Sequence, residues 1–394
     1  MDRPPLHVLV RRLAAFERFQ AFAAELPTRA RVSEPALPLL LATLHDHLRL
    51  PLTIVLPDDA DARDAAEAAA WFIGEERVAY FPGRGVGWET GLTPAPHLVG
   101  ERARALDVLA LGGLVCASAL AFAEKSPPKQ ARPARLDIRV GEEPGIDSLA
   151  EQLALAGYER VERVDQRGHF AIRGGIVDVF PTTGREPLRI ELFGDEIEAI
   201  RAFSPFTQRA LRPLDHALVY PAAERRIDLL EPLTTDRDGD RSRPIVPIDL
   251  VPPLPGGADL VWQPDEVKKV WREALGKQFE LGDRVTELDP FPSGQPHSFE
   301  ALRPAITARG LAEAERELAS FQRGGVHVLV AFPHRGEAIR QQSLVKKVHA
   351  KVEESDRDLA PEPELRFVVA PARRGFVWRD LGVALLPDTQ IFRE

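Results

Sequence analysis

The sequence has one cysteine, Cys116, in 394 residues. No disulfide can close within the chain, and that usage fits a reducing compartment, read here as the cytoplasm. Long apolar runs are missing. The longest uncharged stretch, Val108 to Ala123, falls short of the roughly 20 residues a spanning helix needs. Gly112-Gly113 divides it into a helix end and a buried strand, so no membrane partner is expected. The N-terminus scatters Arg3, Arg11, Arg12 and Arg18 among its apolar residues and has no signal-peptide block. Metal-ligand spacing is absent. The histidines are dispersed, and His45-x-His47 places two rings on different faces of a helix, read as surface. There is no G-x-S-x-G elbow for a serine nucleophile. Positive charge is short as well, with 51 Lys and Arg against 60 Asp and Glu and a net charge of −9. That balance speaks against a protein that coats nucleic acid, including a plain single-strand DNA-binding module.

A phosphate loop is also missing. G-x-x-x-x-G-K-[ST] works because glycine amides and one lysine wrap the phosphates. The one Gly-Lys pair, Gly276-Lys277, has Trp271 in place of the first glycine and Gln278 in place of the hydroxyl. Ahead of the helix at Ala36 the chain reads ARVSEPALP, with neither glycine nor lysine. The expectation is an α/β domain with no P-loop nucleotide, no catalytic residues and no cofactor of its own. Asp265-Glu266 after Leu260-Val261-Trp262 has the look of a helicase metal-and-water pair. Without a phosphate loop, it reads as acids favouring a helix N-terminus.

What is present is an ordinary folded composition, 44% hydrophobic and 28% charged, with 35 prolines and room for two or three domains. Helical periodicity marks Leu13–Leu26, Ala36–Leu48, the stretch after Asp59, and His97–Leu111. Buried strands are expected at Leu52–Leu56, Arg77–Phe81 and Leu114–Ala117. That alternation predicts a parallel sheet. After a linker at 125–145, with a strand at Leu136–Val140, a helix is expected with Ser148 and Glu151 as a capping box and Gly157 as its stop. The α/β pattern resumes at Asp259, with helices at Asp265–Phe279, Ala312–Arg323 and Gly336–Lys351. Strands follow at Val326–Phe332, Arg366–Ala370 and Gly382–Leu386. The Asp/Arg-rich run within 231–257 reads as a solvated loop.

Between these halves, Gly157 to Phe203 carries period-2 alternation, a Gly174-Gly175 break and a Gly-Asp-Glu turn: an antiparallel meander. Phe170 and Ile172 point to one face, and His169, Ala171 and Arg173 to the other. Glu191, Asp195, Glu196 and Glu198 alternate with arginines, as in cross-strand ion pairing. Gly157 to Arg212 holds equal numbers of basic and acidic residues, unlike a phosphate-binding patch. Arg160, Arg167 and Arg173 are either plain solvated arginines or parts of a protein-docking face.

The run GYERVERVDQRGHFAIRGGIVDVFPTTGREPLRIELFGDEIEAIRAFSPFTQRAL resembles the second domain shared by bacterial transcription-repair coupling factor and the excinuclease B subunit. GGIVDVFP, ELFGDEIE and FTQR favour the coupling factor. VLPDDADARDAAEAAAWFIGEERVAYFPG, ERARALDVL and LVCASALAFAEKSPP resemble that family's first segment. LRFVVAPARRGFVWRDLGVALLPDTQIF resembles the close of its third. The resemblance implies a degenerate, RecA-like helicase fold in two segments, 1–125 and 214–394, around an inserted β-rich domain at 126–213. It implies a non-catalytic role: docking the excinuclease A subunit and so recruiting nucleotide excision repair to stalled RNA polymerase. Carried over by position, the docking residues are Arg160 and Arg173, then Arg167 and Phe180. The family continues into a polymerase-binding domain and a translocase that uses ATP and Mg on double-stranded DNA. The sequence stops at Glu394, before either, so a fragment or a split gene is expected. The competing reading is a nucleotide-dependent DNA motor or an excinuclease-B-like damage-loading subunit.

Overall fold

The computed structural model describes residues 3–226, 250, 252, 254, 257–276, 284–291, 297–306 and 308–392. Lys277, Gln278 and most of the 231–257 run lie outside the described residues. The chain divides into two compact units. One comprises 1–80, 108–119 and 256–394, and the other 81–107 and 120–255.

The first unit opens with α1 (His7–Ala14) and α2 (Glu17–Ala24). Next come β1 (Arg29–Val32), α3 (Leu37–Leu48), β2 (Leu52–Leu56), α4 (Asp59–Ile73) and β3 (Val78–Phe81). The chain then enters the second unit, where most of α5 (Pro96–Ala110) lies, returns to the first with β4 (Leu114–Ser118), and leaves it again in α6 (Ala119–Ala123). The alanine-rich stretch expected to form one helix is split, because Phe16 is extended (ψ 124°) and caps α2. Helix α3 is buried on most sides, with Leu39, Leu40, Leu41, Ala42 and Leu44 at 0% exposure, as befits a helix apolar all round. This overturns the surface reading of His45. It is buried, its Nε2 lies 2.8 Å from the Gly112 carbonyl, and burial depresses its pKa. Asp58 caps α4 by accepting from the Asp61 amide at 2.8 Å, the N-cap role of a short acidic side chain.

The second unit contains the β module. It opens with β5 (Leu136–Arg139) and α7 (Ile146–Leu155). The sheet strands are β6 (Glu159–Arg160), β7 (His169–Arg173), β8 (Ile176–Val179), β9 (Leu188–Phe193), β10 (Glu196–Phe203) and β11 (Ala210–Leu214), and β12 (His216–Val219) follows. The sheet order is β11-β10-β9-β8-β7-β6, and β12 pairs antiparallel with β5. The capping box does not form. Helix α7 starts earlier, with Gly145 at its N-cap, so Ser148 is already inside the first turn and its Oγ accepts from Gln152 at 3.1 Å. Gly157 does follow the helix end, with φ +89°, the left-handed region glycine tolerates. A Cβ there would stand 2.4 Å from Ala223 Cβ and 2.6 Å from its amide nitrogen. Gly157→Ala is expected to cost about 1–3 kcal/mol or more through overpacking and backbone strain. A lowered urea midpoint would register it, and an unchanged midpoint would refute it.

A buried charge quartet braces the same unit. The Arg84 Nε–Glu224 distance is 2.7 Å, and the Arg84 amide donates to Glu124 at 2.9 Å. Arg102 donates to the Pro82 carbonyl at 2.7 Å, to Glu124 at 3.1 Å and to the Ser126 hydroxyl at 2.9 Å. Its Nε lies 3.4 Å from Glu224. Both guanidiniums are about 97% covered and sit over rings, Arg84 over Trp88 and Arg102 over Phe81.

The chain then returns to the first unit with β13 (Leu260–Trp262), α8 (Pro264–Leu275), β14 (Thr286–Asp289) and β15 (His297–Phe299). These complete a seven-stranded sheet in the order β15-β1-β14-β13-β2-β4-β3. Each recorded pairing in it is parallel. The later strands do not join it. After α9 (Leu311–Arg323), β16 (His327–Phe332), α10 (Arg335–Leu344), β17 (Ala350–Glu353), β18 (Leu365–Val369), β19 (Phe376–Trp378) and β20 (Val383–Pro387) form a sheet of their own, before α11 (Asp388–Ile391). The helix expected to reach Lys351 ends at Leu344, and Ala350–Glu353 pairs with β18 instead. One core cluster joins α1, α3 and α4 to residues of both sheets, including Leu56, Leu329, Trp378 and Leu385. The expected mixed α/β class, with a parallel sheet and a separate β-rich part, is what the chain adopts. Among the described residues, no helix is long and apolar enough to cross a membrane.

Candidate protein-docking face of the β module

The module sheet has one face closed by α7. Leu149 and Leu153 pack on Phe170, Val177, Val179, Ile190 and Ile200, the inward set of a period-2 pattern. Side chains of the other face meet in register: Ala171 opposite Asp178, Asp178 opposite Arg189, and Arg189 opposite Arg201. Asp178 is 3% exposed and receives two bonds from Arg189, 2.7 Å from Nε and 2.8 Å from Nη2. Arg189 also lies over the Phe203 ring at 4.7 Å. Arg173 is 3.9 Å from the same carboxylate, and Arg201 is 3.1 Å from Glu191. A cross-strand ion lattice is present, in which, of the four acids expected from the alternating charges, Glu191 alone forms an ion pair among the described residues. Its centre, however, is the buried Asp178, which the sequence reading passed over. The signal was available: an acid between Val177 and Val179 in an apolar strand must find a partner or stay neutral. Asp178→Ala is expected to lower module stability by about 1.5–3 kcal/mol, the worth of hydrogen bonds to a charged group. A thermal melt within experimental error of the parent would refute that role.

The four residues singled out from the sequence occupy different settings. Arg160 is exposed on the edge strand β6, in register with Phe170. Arg173 closes β7 and pairs with Ile176 across the Gly174-Gly175 turn. That turn has φ +59° at Gly174, with Gly175 outside the positive range, the type II′ hairpin signature. A Cβ on Gly175 would meet the Leu192 carbonyl at 2.7 Å. Arg167 lies between β6 and β7, and its Nε donates to the Gly184 carbonyl at 3.0 Å. Phe180 is 9% exposed and packs with Val164, Ala171 and Val161. It supports the surface from beneath rather than presenting a ring. Arg160, Arg167 and Arg173 are all exposed; on the edge strand Arg160 shares the sheet face of its register partner Phe170, and Arg173 lies on the opposite face with Ala171 and Asp178. Two exposed rings were not singled out: Phe193, which ends β9 at 76% exposure, and Phe206, at 88%.

The module's end is locked by a small polar node. The Tyr158 hydroxyl donates to the Tyr220 carbonyl at 2.7 Å, and the Thr182 hydroxyl reaches the same carbonyl at 3.0 Å. Burial pushes the Tyr158 phenol up to about 12, so it stays a neutral donor. Nearby, burial raises the Glu101 carboxyl, against the pull of Arg104 and Arg167.

In the first unit, the β1–α3 connection holds no phosphate cradle. Ser33 Oγ donates to the Ala301 carbonyl and accepts from the Ala301 amide, each at 2.8 Å. Pro35 and Pro38 stand in the first turns of the short helix Glu34–Ala36 and of α3, where an anion site needs N–H groups. Asp265 and Glu266 lie in the first turn of α8, with Glu266 3.3 Å from Lys269, as the helix-terminus reading requires. Among the described residues, no cluster of His, Cys, Asp and Glu could hold a metal ion.

A family model described as the UvrB interaction domain matches residues 136–224, the β module. Transcription-repair-coupling factors are similar over longer stretches. That of Mycobacterium bovis is 33% identical over 218 residues, 52% of this chain and 17% of the relative. That of Myxococcus xanthus is 34% identical over 195 residues, 47% of this chain and 16% of the relative. That of Bacillus subtilis is 36% identical over 133 residues, 33% of this chain and 11% of the relative. The chain thus carries an excinuclease-B-like module of the kind found in transcription-repair-coupling factors, and its matches span a small fraction of their length.

Proposed function

We propose that this chain is a non-catalytic docking platform that binds the excinuclease A subunit through the β module and so links nucleotide excision repair to stalled RNA polymerase. The observation that carries the reading is the coincidence of two boundaries. The UvrB interaction domain match covers the stretch that folds into a sheet with one face closed by α7 and the other bearing arginines. A balanced lattice of arginines and carboxylates, with Phe193 exposed beside it, has the composition of a protein interface rather than of a phosphate track. We ascribe no ATP or Mg, and no direct contact with polymerase or double-stranded DNA, to this chain. The setting is cytoplasmic.

Capture of purified excinuclease A subunit on the immobilised chain tests this directly. Saturable binding that survives nuclease treatment is expected, and failure to bind would overturn the proposal. The rival reading, a nucleotide-driven motor, predicts tight ATP binding by this chain. Pro35 in the β1–α3 connection and Pro38 in the first turn of α3 argue against it.

A further inference from the structure

One exposed apolar side chain is ordinary on a protein surface. Phe193 differs in its backbone and in its neighbours. It ends β9 at 76% exposure, and the chain that carries it is held on both sides. The Leu192 amide donates to the Gly175 carbonyl at 2.7 Å, on the adjoining hairpin turn. Beyond the ring, the Gly145 amide donates to the Asp195 carbonyl at 3.1 Å. The Gly141 amide donates to the Ile197 carbonyl at 2.8 Å, and the Ile197 amide to the Glu142 carbonyl at 2.9 Å. Such a ring has little backbone freedom left to lose on binding. Alternation along β9 puts Arg189, Glu191 and Phe193 on the ion-lattice face, because Leu188, Ile190 and Leu192 turn to the core under α7. Register sets Ile176 and Ala199, both half-buried, on either side of Glu191. Both are diagonal neighbours of Phe193, within reach of an aromatic ring. Arg173 follows Ile176 in the same row, about 10 Å from β9 across two strand spacings. Glu191 is held by Arg201 at 3.1 Å. Glu196, opposite Phe193, is exposed and forms no ion pair among the described residues.

We infer that Phe193 is the apolar anchor of the docking face. The excinuclease A subunit takes the ring into an apolar pocket, with a carboxylate set against Arg173 and a basic group against Glu196. The inference rests on docking through the β module and adds the contact that holds the complex. Balanced surface charge gives register and encounter rate more than affinity. Aromatic side chains in desolvated pockets carry most of the energy of an interface.

Titration calorimetry of purified excinuclease A subunit with the full chain and its variants tests the anchor. Phe193→Ala is expected to weaken binding about 30-fold or more, the loss at a hot spot. Phe193→Leu keeps apolar bulk and is expected to recover most of that loss. Phe206→Ala removes an exposed ring from the connection beyond the far end of β10, and is expected to leave the affinity in place. Glu196→Lys is expected to weaken binding about tenfold or more by setting like charges together. Melting curves of the Phe193 variants are expected to match the parent, because the ring lies outside the core of the module. An affinity unmoved by Phe193→Ala overturns the inference and leaves the proposed function standing. So do equal losses from Phe193→Ala and Phe206→Ala, which reduce the effect to nonspecific apolar contact. An affinity unmoved by Glu196→Lys overturns the charges placed around the pocket. A parent chain that dimerises in sedimentation, and that Phe193→Ala makes monomeric at unchanged affinity for the subunit, gives the ring to a second copy and also overturns the inference. No binding by the parent chain overturns the proposed function itself.

Discussion

Exchanging Arg160 and Arg173 together for alanine is expected to abolish capture of the excinuclease A subunit while leaving the module's melting curve in place. Neither side chain holds the fold. Arg160 is exposed on an edge strand, and Arg173, 54% exposed, lies 3.9 Å from a carboxylate already bound twice by Arg189. Exposed pairs of that kind are worth about 0–1 kcal/mol. In a complex the balance reverses. Removing one partner of a desolvated charge pair costs about 2–5 kcal/mol, roughly 30-fold or more in affinity for each arginine. Arg212→Ala is the charge-matched control for each single variant. It is exposed on β11 at the opposite edge and pairs with Glu186 at 3.2 Å. Equal losses from Arg212→Ala and from Arg160→Ala or Arg173→Ala alone would reduce the effect to net charge. Intact binding by the double variant would place the docking face elsewhere.

The largest expected loss of stability comes from Glu224→Ala. This carboxylate faces two buried guanidiniums, 2.7 Å from Arg84 and 3.4 Å from Arg102. Truncating it leaves Glu124 as the remaining carboxylate of the quartet against two cations with little access to water. Breaking a buried pair by removing one partner costs about 3–5 kcal/mol. That is a large part of the ~5–15 kcal/mol by which a domain is stable. Glu224→Gln keeps hydrogen-bonding atoms but loses the charge, and is expected to fall between parent and alanine. Urea unfolding followed by far-ultraviolet circular dichroism reads both. A loss under about 1 kcal/mol for the alanine variant would show that water or Glu124 compensates.

Much of the architecture was legible because it is written in period and punctuation. Leu52–Leu56 and Leu114–Ser118 are short apolar runs between helices and became adjacent parallel strands. Gly157 and Gly174 sit where a left-handed residue is needed. Sheet membership was not legible. Val326–Phe332 has the same apolar signature as Leu52–Leu56, and no local feature says that it belongs to another sheet. Ser148 shows the limit of motif spacing: a capping box can be spelled correctly while the helix begins a few residues earlier, at Gly145. His45 shows the same limit for burial. Its neighbours Leu44 and Ala42 made the helix apolar on nearly every side, and a polar residue there had to find the Gly112 carbonyl.

In the candidate site, alternation placed Arg173 outward and Phe170 inward. What it could not place was the counter-charge. Asp178 lies only five residues from Arg173, but its main partner, Arg189, is on the next strand, and that pairing depends on register.

The pairing of β5 with β12 has a further consequence. Leu136 stands opposite Val219, and Arg139 opposite His216, so the strand that enters the module and the strand that leaves it are stitched side by side. A host chain therefore sees two ends only a strand spacing apart, about 5 Å, whatever is folded between them. A host loop can accept such a segment without being stretched.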